Sequence, residues 1–193
     1  MRELVFVSHN KHKLAEAEQI LGESYLILNP NDLGFDAEIE ETGATFEENA
    51  LIKAKTIFDL YKMDCFSDDS GLCVESLNGK PGVTSARYAG EPCDSERNIE
   101  KLLAELETKT SRKAAFVTVI CLIFQNKQWF FKGEVYGEIL KEKRGNSGFG
   151  YDPIFVPDGY DLSFAEMTQT QKNSISHRKL ALEQVRIFLE SYI

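Results

Sequence analysis

Cys65-Phe66-Ser67-Asp68-Asp69-Ser70-Gly71-Leu72-Cys73-Val74 is the stretch on which the fold turns. Its two ends, Cys65 to Ser67 and Leu72 to Val74, are apolar and read as strands. Between them Asp68-Asp69-Ser70-Gly71 has the composition of a turn. Upstream, Glu3 to Val7 is another β-like run, and apolar residues at 14, 17 and 21 give Leu14 to Leu21 a helical period. Thr45-Phe46-Glu47-Glu48 is a capping box, opening a helix whose stripe is Phe46, Ala50, Ala54, Ile57 and Tyr61. Downstream, Asn78 to Gly82 is a loop, and Asp94 or Ser95 caps a helix striped by Ile99, Leu102, Leu103 and Leu106. Ala114 to Phe124 and Gln128 to Phe131 read as a hairpin turned at Asn126-Lys127, with Val135 to Leu140 a further strand. A glycine-rich loop, Gly145 to Gly150, leads to the short apolar run Ile154 to Val156, and a long helix covers roughly Ser174 to Tyr192. Strands and helices mix without strict β-α-β alternation. The expected fold is α/β, a mixed sheet with helices packed on it.

With 193 residues, 42% apolar and 27% charged, the chain has globular proportions, and a single domain over residues 1–193 is expected. Disordered, collagen-like and coiled-coil readings are excluded. The longest apolar stretch, Ala114 to Phe124, falls well short of the roughly 18 to 20 residues of a membrane span. With no signal-peptide pattern at the start, a cytoplasmic protein is expected. Four cysteines without any Cys-x-x-Cys pair argue against structural zinc, and Cys65, Cys73 and Cys121 read as small core residues. A net charge of −9 argues against duplex nucleic acid as a partner, although a local pocket can still be positive.

Several segments have the chemistry of a site. Ser8-His9-Asn10-Lys11-His12-Lys13 joins a strand to a helix N-terminus, where unpaired N–H groups suit a phosphate. It lacks glycine, so it is neither a Walker loop nor a dinucleotide fingerprint, and read in isolation a solvated loop with Asn10 as a simple helix cap is the better account. Asn49 and Lys53 lie four residues apart beside an apolar stripe, so the lysine either snorkels to water or meets an anion. Asp68 and Asp69 repel each other, which a hard cation taking carboxylate and phosphate oxygens would offset; Glu38, Glu40 and Glu41 supply further carboxylates. His177-Arg178 opens a helix against its dipole, which an anion or acceptor there would explain.

Set in order, these pieces resemble one family. They are Ser8-x-Asn10-x-x-Lys13, Glu40-Glu41-Thr42-Gly43-x-Thr45-Phe46-x-x-Asn49-Ala50, Lys53-Ala54 and Asp68-Asp69-Ser70-Gly71-Leu72. Pro81-Gly82, Ser85-Ala86-Arg87-Tyr88, Gly148-Phe149-Gly150-Tyr151-Asp152-Pro153-Ile154-Phe155 and Ser176-His177-Arg178 complete the set. The chain is similar to the inosine triphosphate pyrophosphatases, enzymes that clear nonstandard purine nucleoside triphosphates. The resemblance implies an elongated mixed β-sheet flanked by helices, with two lobes and the active cleft between them, in a homodimer. It implies Mg²⁺-dependent hydrolysis of the triphosphate to monophosphate and pyrophosphate. By motif, Asp69 is the expected general base, and Glu40 with Asp69 the metal ligands. Ser8, His9, Asn10, Lys11, His12, Lys13, Lys53, Ser70 and Lys172 are the expected substrate contacts toward phosphate and sugar. Phe149 would stack on the purine, Gly150, Tyr151 and Asp152 would frame it, and His177 with Arg178 would read its edge. A nucleotide sensor without catalysis and a pyrimidine-specific relative are the competing readings; the Asp69 and Glu40 pair argues against the first, the Phe-Gly-Tyr-Asp and Ser-His-Arg blocks against the second.

Overall fold

The computed structural model describes residues 2–192. In chain order they form β1 (Arg2–Phe6), α1 (Lys11–Leu21), β2 (Tyr25–Leu28), α2 (Phe46–Tyr61), β3 (Cys65–Val74), α3 (Ser95–Glu105) and β4 (Lys113–Phe124). There follow β5 (Lys127–Ile139), β6 (Phe155–Pro157), α4 (Gln169–Ile175) and α5 (His177–Glu190). The strands make one sheet in the order β2-β1-β3-β4-β5-β6. β1 runs parallel to β2, with Arg2 opposite Tyr25, and parallel to β3, with Phe6 opposite Phe66. β6 is antiparallel to β5, Ile139 facing Phe155. Parallel neighbours need crossover connections, and α1 and α2 supply them. The expected mixed α/β sheet with flanking helices is therefore what the chain forms.

The chain divides into two units. The first gathers the chain up to Asp69, Thr118–Gly133 and the chain from Arg178 onward. Both faces of its sheet are covered, which is why Leu4 to Val7 is an unbroken apolar run. On one face Leu4, Phe6, Phe66, Ile120 and Leu122 pack with Ala17 and Leu21 of α1 and Ala181, Leu182, Val185 and Leu189 of α5. On the other, Val5, Val7, Cys65, Cys121 and Ile123 pack with Ala50, Ala54 and Ile57 of α2. The second unit comprises Ser70–Val117 and Glu134–His177. Its core joins Ile99, Leu102 and Leu106 to Leu72, Val74, Phe116, Ile139, Phe155 and Phe164.

Local signals are realised as physical caps. Asn10 accepts from the backbone N–H of His12 and Lys13, starting α1 at Lys11, a turn earlier than its apolar period. Thr45 and Glu48 close the capping box of α2, and Asp94 accepts from the Arg97 N–H to cap α3. Among the described residues, no helix is long and apolar enough to cross a membrane.

Four expectations are corrected. β3 is one continuous strand, so Asp68-Asp69-Ser70-Gly71 lies inside it rather than in a turn. β5 likewise runs unbroken through residues read as a gap, because its polar residues alternate outward. The hairpin turns at Gln125-Asn126, whose φ values of 50° and 61° suit the primed turns that match strand twist. The final helix is two helices, α4 and α5, parted by an extended Ser176 at φ −66° and ψ 146°. A one-residue break leaves the apolar spacing nearly in phase, so periodicity does not reveal it.

Candidate active site

The central strand explains how two adjacent carboxylates are both buried. Successive strand side chains point to opposite faces. Asp68 follows Phe66 onto the face covered by α1 and α5, whereas Asp69 follows Cys65 and Ser67 toward α2. The repulsion expected of the pair is thus relieved by direction, each carboxylate meeting its own partners.

Asp68 is 1% exposed. Lys13 Nζ lies 3.0 Å from its Oδ1 and 2.9 Å from its Oδ2, and Arg178 Nε donates to Oδ2 at 3.3 Å. Lys53 Nζ donates to the Asp68 carbonyl at 2.7 Å and pairs with Glu41 Oε1 at 2.5 Å. Arg178 Nη1 reaches Glu16 Oε2 at 2.9 Å. Burial alone would raise the Asp68 carboxyl, but the charges of Lys13, Arg178 and Lys53 outweigh it and hold the group far below the usual carboxylate range. Burial lowers the Lys13 ammonium, opposed by Asp68.

Asp69 is also buried, and its Oδ2 accepts from Asn49 Nδ2 at 3.0 Å. Asn49 Oδ1 in turn accepts from the Gly43 N–H at 2.8 Å. A Cβ on Gly43 would lie 2.6 Å from Glu48 Cβ and 2.7 Å from Asn49 Oδ1, so only glycine permits this approach. Asn49 therefore ties Asp69 to the segment that carries Glu40, itself exposed. Ser8 accepts from the Asn10 N–H at 3.2 Å, and His9, Asn10, Lys11 and His12 are solvent-facing. Burial pushes the Cys65 and Cys121 thiols up to about 12, which marks them as inert core groups.

In the second unit another cluster forms. Buried Lys172 donates to Asp152 Oδ2 at 2.5 Å, and the Phe149 N–H donates to the same oxygen at 2.8 Å. The Lys172 ammonium sits 4.4 Å from the Phe149 ring centroid, while the ring itself is 61% exposed. Gly148 and Gly150 adopt φ of +81° and +58°, left-handed values that glycine takes without strain. Tyr151 is buried, and its hydroxyl donates to the Ser85 carbonyl at 2.8 Å. His177 is buried and stacks on Phe116 at 5.1 Å. Ser70 lies half-buried just past Asp69 in β3.

The structure thus joins Lys13, Lys53, Arg178 and the Asp68 backbone and carboxylate in one group, Asp69 with Asn49 in a second, and Phe149, Asp152 and Lys172 in a third. Sequence reasoning missed Glu16 and the central part of Asp68. The signal for Glu16 was its spacing of three from Lys13, which puts both on one face of α1.

Fold and site together define an α/β protein that arrays cations around a strand bearing carboxylates, an arrangement for handling a phosphorylated ligand. The chain belongs to the Ham1 family, whose model matches residues 4–188. A dITP/XTP pyrophosphatase of Flavobacterium psychrophilum is 50% identical over 189 residues, covering 98% of this chain and 100% of the relative. The dITP/XTP pyrophosphatase of Porphyromonas gingivalis is 48% identical over 190 residues, 98% of each chain. Among solved structures, the Staphylococcus aureus Ham1 protein superposes with a TM-score of 0.94 at 42% identity, covering 100% of both chains. A Coxiella burnetii HAM1 protein gives 0.94 at 39% identity, over 99% of this chain and 100% of the other.

Proposed function

We propose that the chain hydrolyses nonstandard purine nucleoside triphosphates (ITP, dITP and XTP) to the monophosphate and pyrophosphate, with Mg²⁺, before they are misincorporated into DNA or RNA. Support comes from relatives that are dITP/XTP pyrophosphatases across nearly the whole chain. The observation that carries the reading is Asp69, a buried carboxylate held by Asn49 and next in the strand to Asp68, whose carboxylate meets Lys13 and whose carbonyl meets Lys53.

Glu40 and Asp69 would hold the metal, and their all-oxygen donor chemistry fits a hard cation. When bound, Mg²⁺ neutralises phosphate charge. Asp69 takes the proton of a water whose oxygen bonds to the α-phosphorus, as the bond to the bridging oxygen breaks and pyrophosphate leaves. Lys13 and Lys53 offset the charge on the phosphate oxygens. The Ser8–Lys13 loop, with His9, Lys11 and His12, supplies N–H groups and cations to the phosphates, as Lys172 does toward phosphate and sugar and Ser70 beside the metal. Phe149 stacks on the purine, Gly150, Tyr151 and Asp152 frame it, and His177 and Arg178 read its edge. The same reading includes a homodimer acting in the cytoplasm on a free nucleotide, apart from nucleic acid and membrane.

The test is pyrophosphate release from a panel of ITP, dITP, XTP, GTP, ATP and dUTP, with and without Mg²⁺. Pyrophosphate and monophosphate from the 6-oxo nonstandard purines, lost on chelation, are expected. Glu40→Gln should shift the Mg²⁺ titration to higher concentration. Release of orthophosphate instead, or a preference for dUTP, overturns the proposal.

A further inference from the structure

We infer that Glu16 is a positioning residue that orients the Arg178 guanidinium for the purine edge, an inference that rests on the pyrophosphatase reading above. Arg178 is 5% exposed and is gripped from two elements: its Nε by Asp68 of β3 at 3.3 Å, its Nη1 by Glu16 of α1 at 2.9 Å. A guanidinium is planar and purely a donor, so two acceptors in its plane set both the tilt and the rotation of the group.

Charge balance does not account for Glu16. Asp68 is already engaged through both oxygens by Lys13, at 3.0 and 2.9 Å, and its contact to Arg178 is the longer of that arginine's two grips. Removing Glu16 would leave Lys13 and Arg178 facing one carboxylate, a net positive group that attracts a triphosphate more strongly. A carboxylate here works against substrate attraction, and what it contributes is direction. Without it the guanidinium pivots on one long hydrogen bond, and a donor fork that must meet a 6-oxo acceptor loses its aim.

The experiment measures kcat and KM for ITP and ATP in wild type, Glu16→Ala, Glu16→Gln, Arg178→Ala and the Glu16→Ala/Arg178→Ala pair. It adds solvent exchange of the Arg178 Nε–H by NMR, which needs no turnover. Glu16→Ala should lower kcat/KM for ITP by roughly tenfold or more, mostly through KM, with ATP unchanged or improved by the added positive charge. Glu16→Gln, whose amide oxygen still accepts, should recover most of the loss. In the Arg178→Ala background, Glu16→Ala should add nothing, since a residue acting through another is silent once that other is gone. Arg178 Nε–H exchange should quicken in Glu16→Ala. Equal losses for ITP and ATP, additive losses in the pair, or unchanged exchange overturns the inference. If wild type releases no pyrophosphate from ITP, the functional reading fails by itself, while the exchange measurement still decides whether Glu16 holds Arg178.

Discussion

Lys13 and Asp68, 55 positions apart in sequence, form a two-oxygen ion pair of 3.0 and 2.9 Å in which the carboxylate is 2% exposed. A carboxylate so deep is tolerable because Lys13 meets both its oxygens and the Arg178 Nε donates to one of them, while Lys53 on the backbone carbonyl adds a further positive charge.

This pairing makes stability depend on acid. Asp68 is held well below its unfolded value of about 3.9, so the unfolded chain binds its proton first. The contribution is complete above about pH 5 and is lost as pH falls through roughly 4 and below. Asp68→Asn should lower the urea midpoint at pH 7, and the gap to wild type should narrow as pH drops to about 3. A gap independent of pH would show that the Asp68 charge is not what stabilises the group.

Asp69→Asn preserves shape and an acceptor toward Asn49 but removes basicity. Turnover should fall at least about 10²-fold with the thermal midpoint little changed. Near-normal turnover in the folded variant would remove Asp69 from the chemistry.

Lys53→Met leaves two acceptors stranded, the Glu41 carboxylate and the Asp68 carbonyl, which Lys53 bonds at 2.5 and 2.7 Å. The loss should be about 1–3 kcal/mol of stability, together with weaker nucleotide binding. Denaturant titration and calorimetry with ITP read the two effects separately. Unchanged stability would mean Lys53 only skirts the site.

Two glycines of one loop should respond differently to alanine. At Gly148 the φ is +81° and a Cβ would lie 2.2 Å from Asp152 Oδ2, an atom already held by Lys172 at 2.5 Å and the Phe149 N–H at 2.8 Å. Gly150 has φ +58° but nothing within 4 Å of its Cβ, so alanine there meets only the left-handed cost of about 1–2 kcal/mol. Gly148→Ala should therefore raise KM for ITP well beyond Gly150→Ala. Equal effects would count against the Asp152 hub as the support of Phe149.

The sequence by itself determined whatever depends on neighbours within a few residues. Thr45 with Glu48, Asp94 and Asn10 cap helices through groups two or three positions away, so their patterns announce them. The two-faced burial of the first strand shows as the apolar run Leu4 to Val7, and Lys13, Lys53, Asp69, Phe149 and Arg178 were picked out by the family motifs they belong to. Tertiary structure alone decided the rest. Asp68-Asp69 reads as a turn because two adjacent carboxylates cannot pay for burial locally, yet their partners arrive from positions 13, 49, 53 and 178. The break at Ser176 and the grip of Glu16 on Arg178 belong to the same class. Buried charge is stable only through groups brought from elsewhere in the chain, and where those groups meet is a property of the packed sheet and its helices rather than of any local pattern.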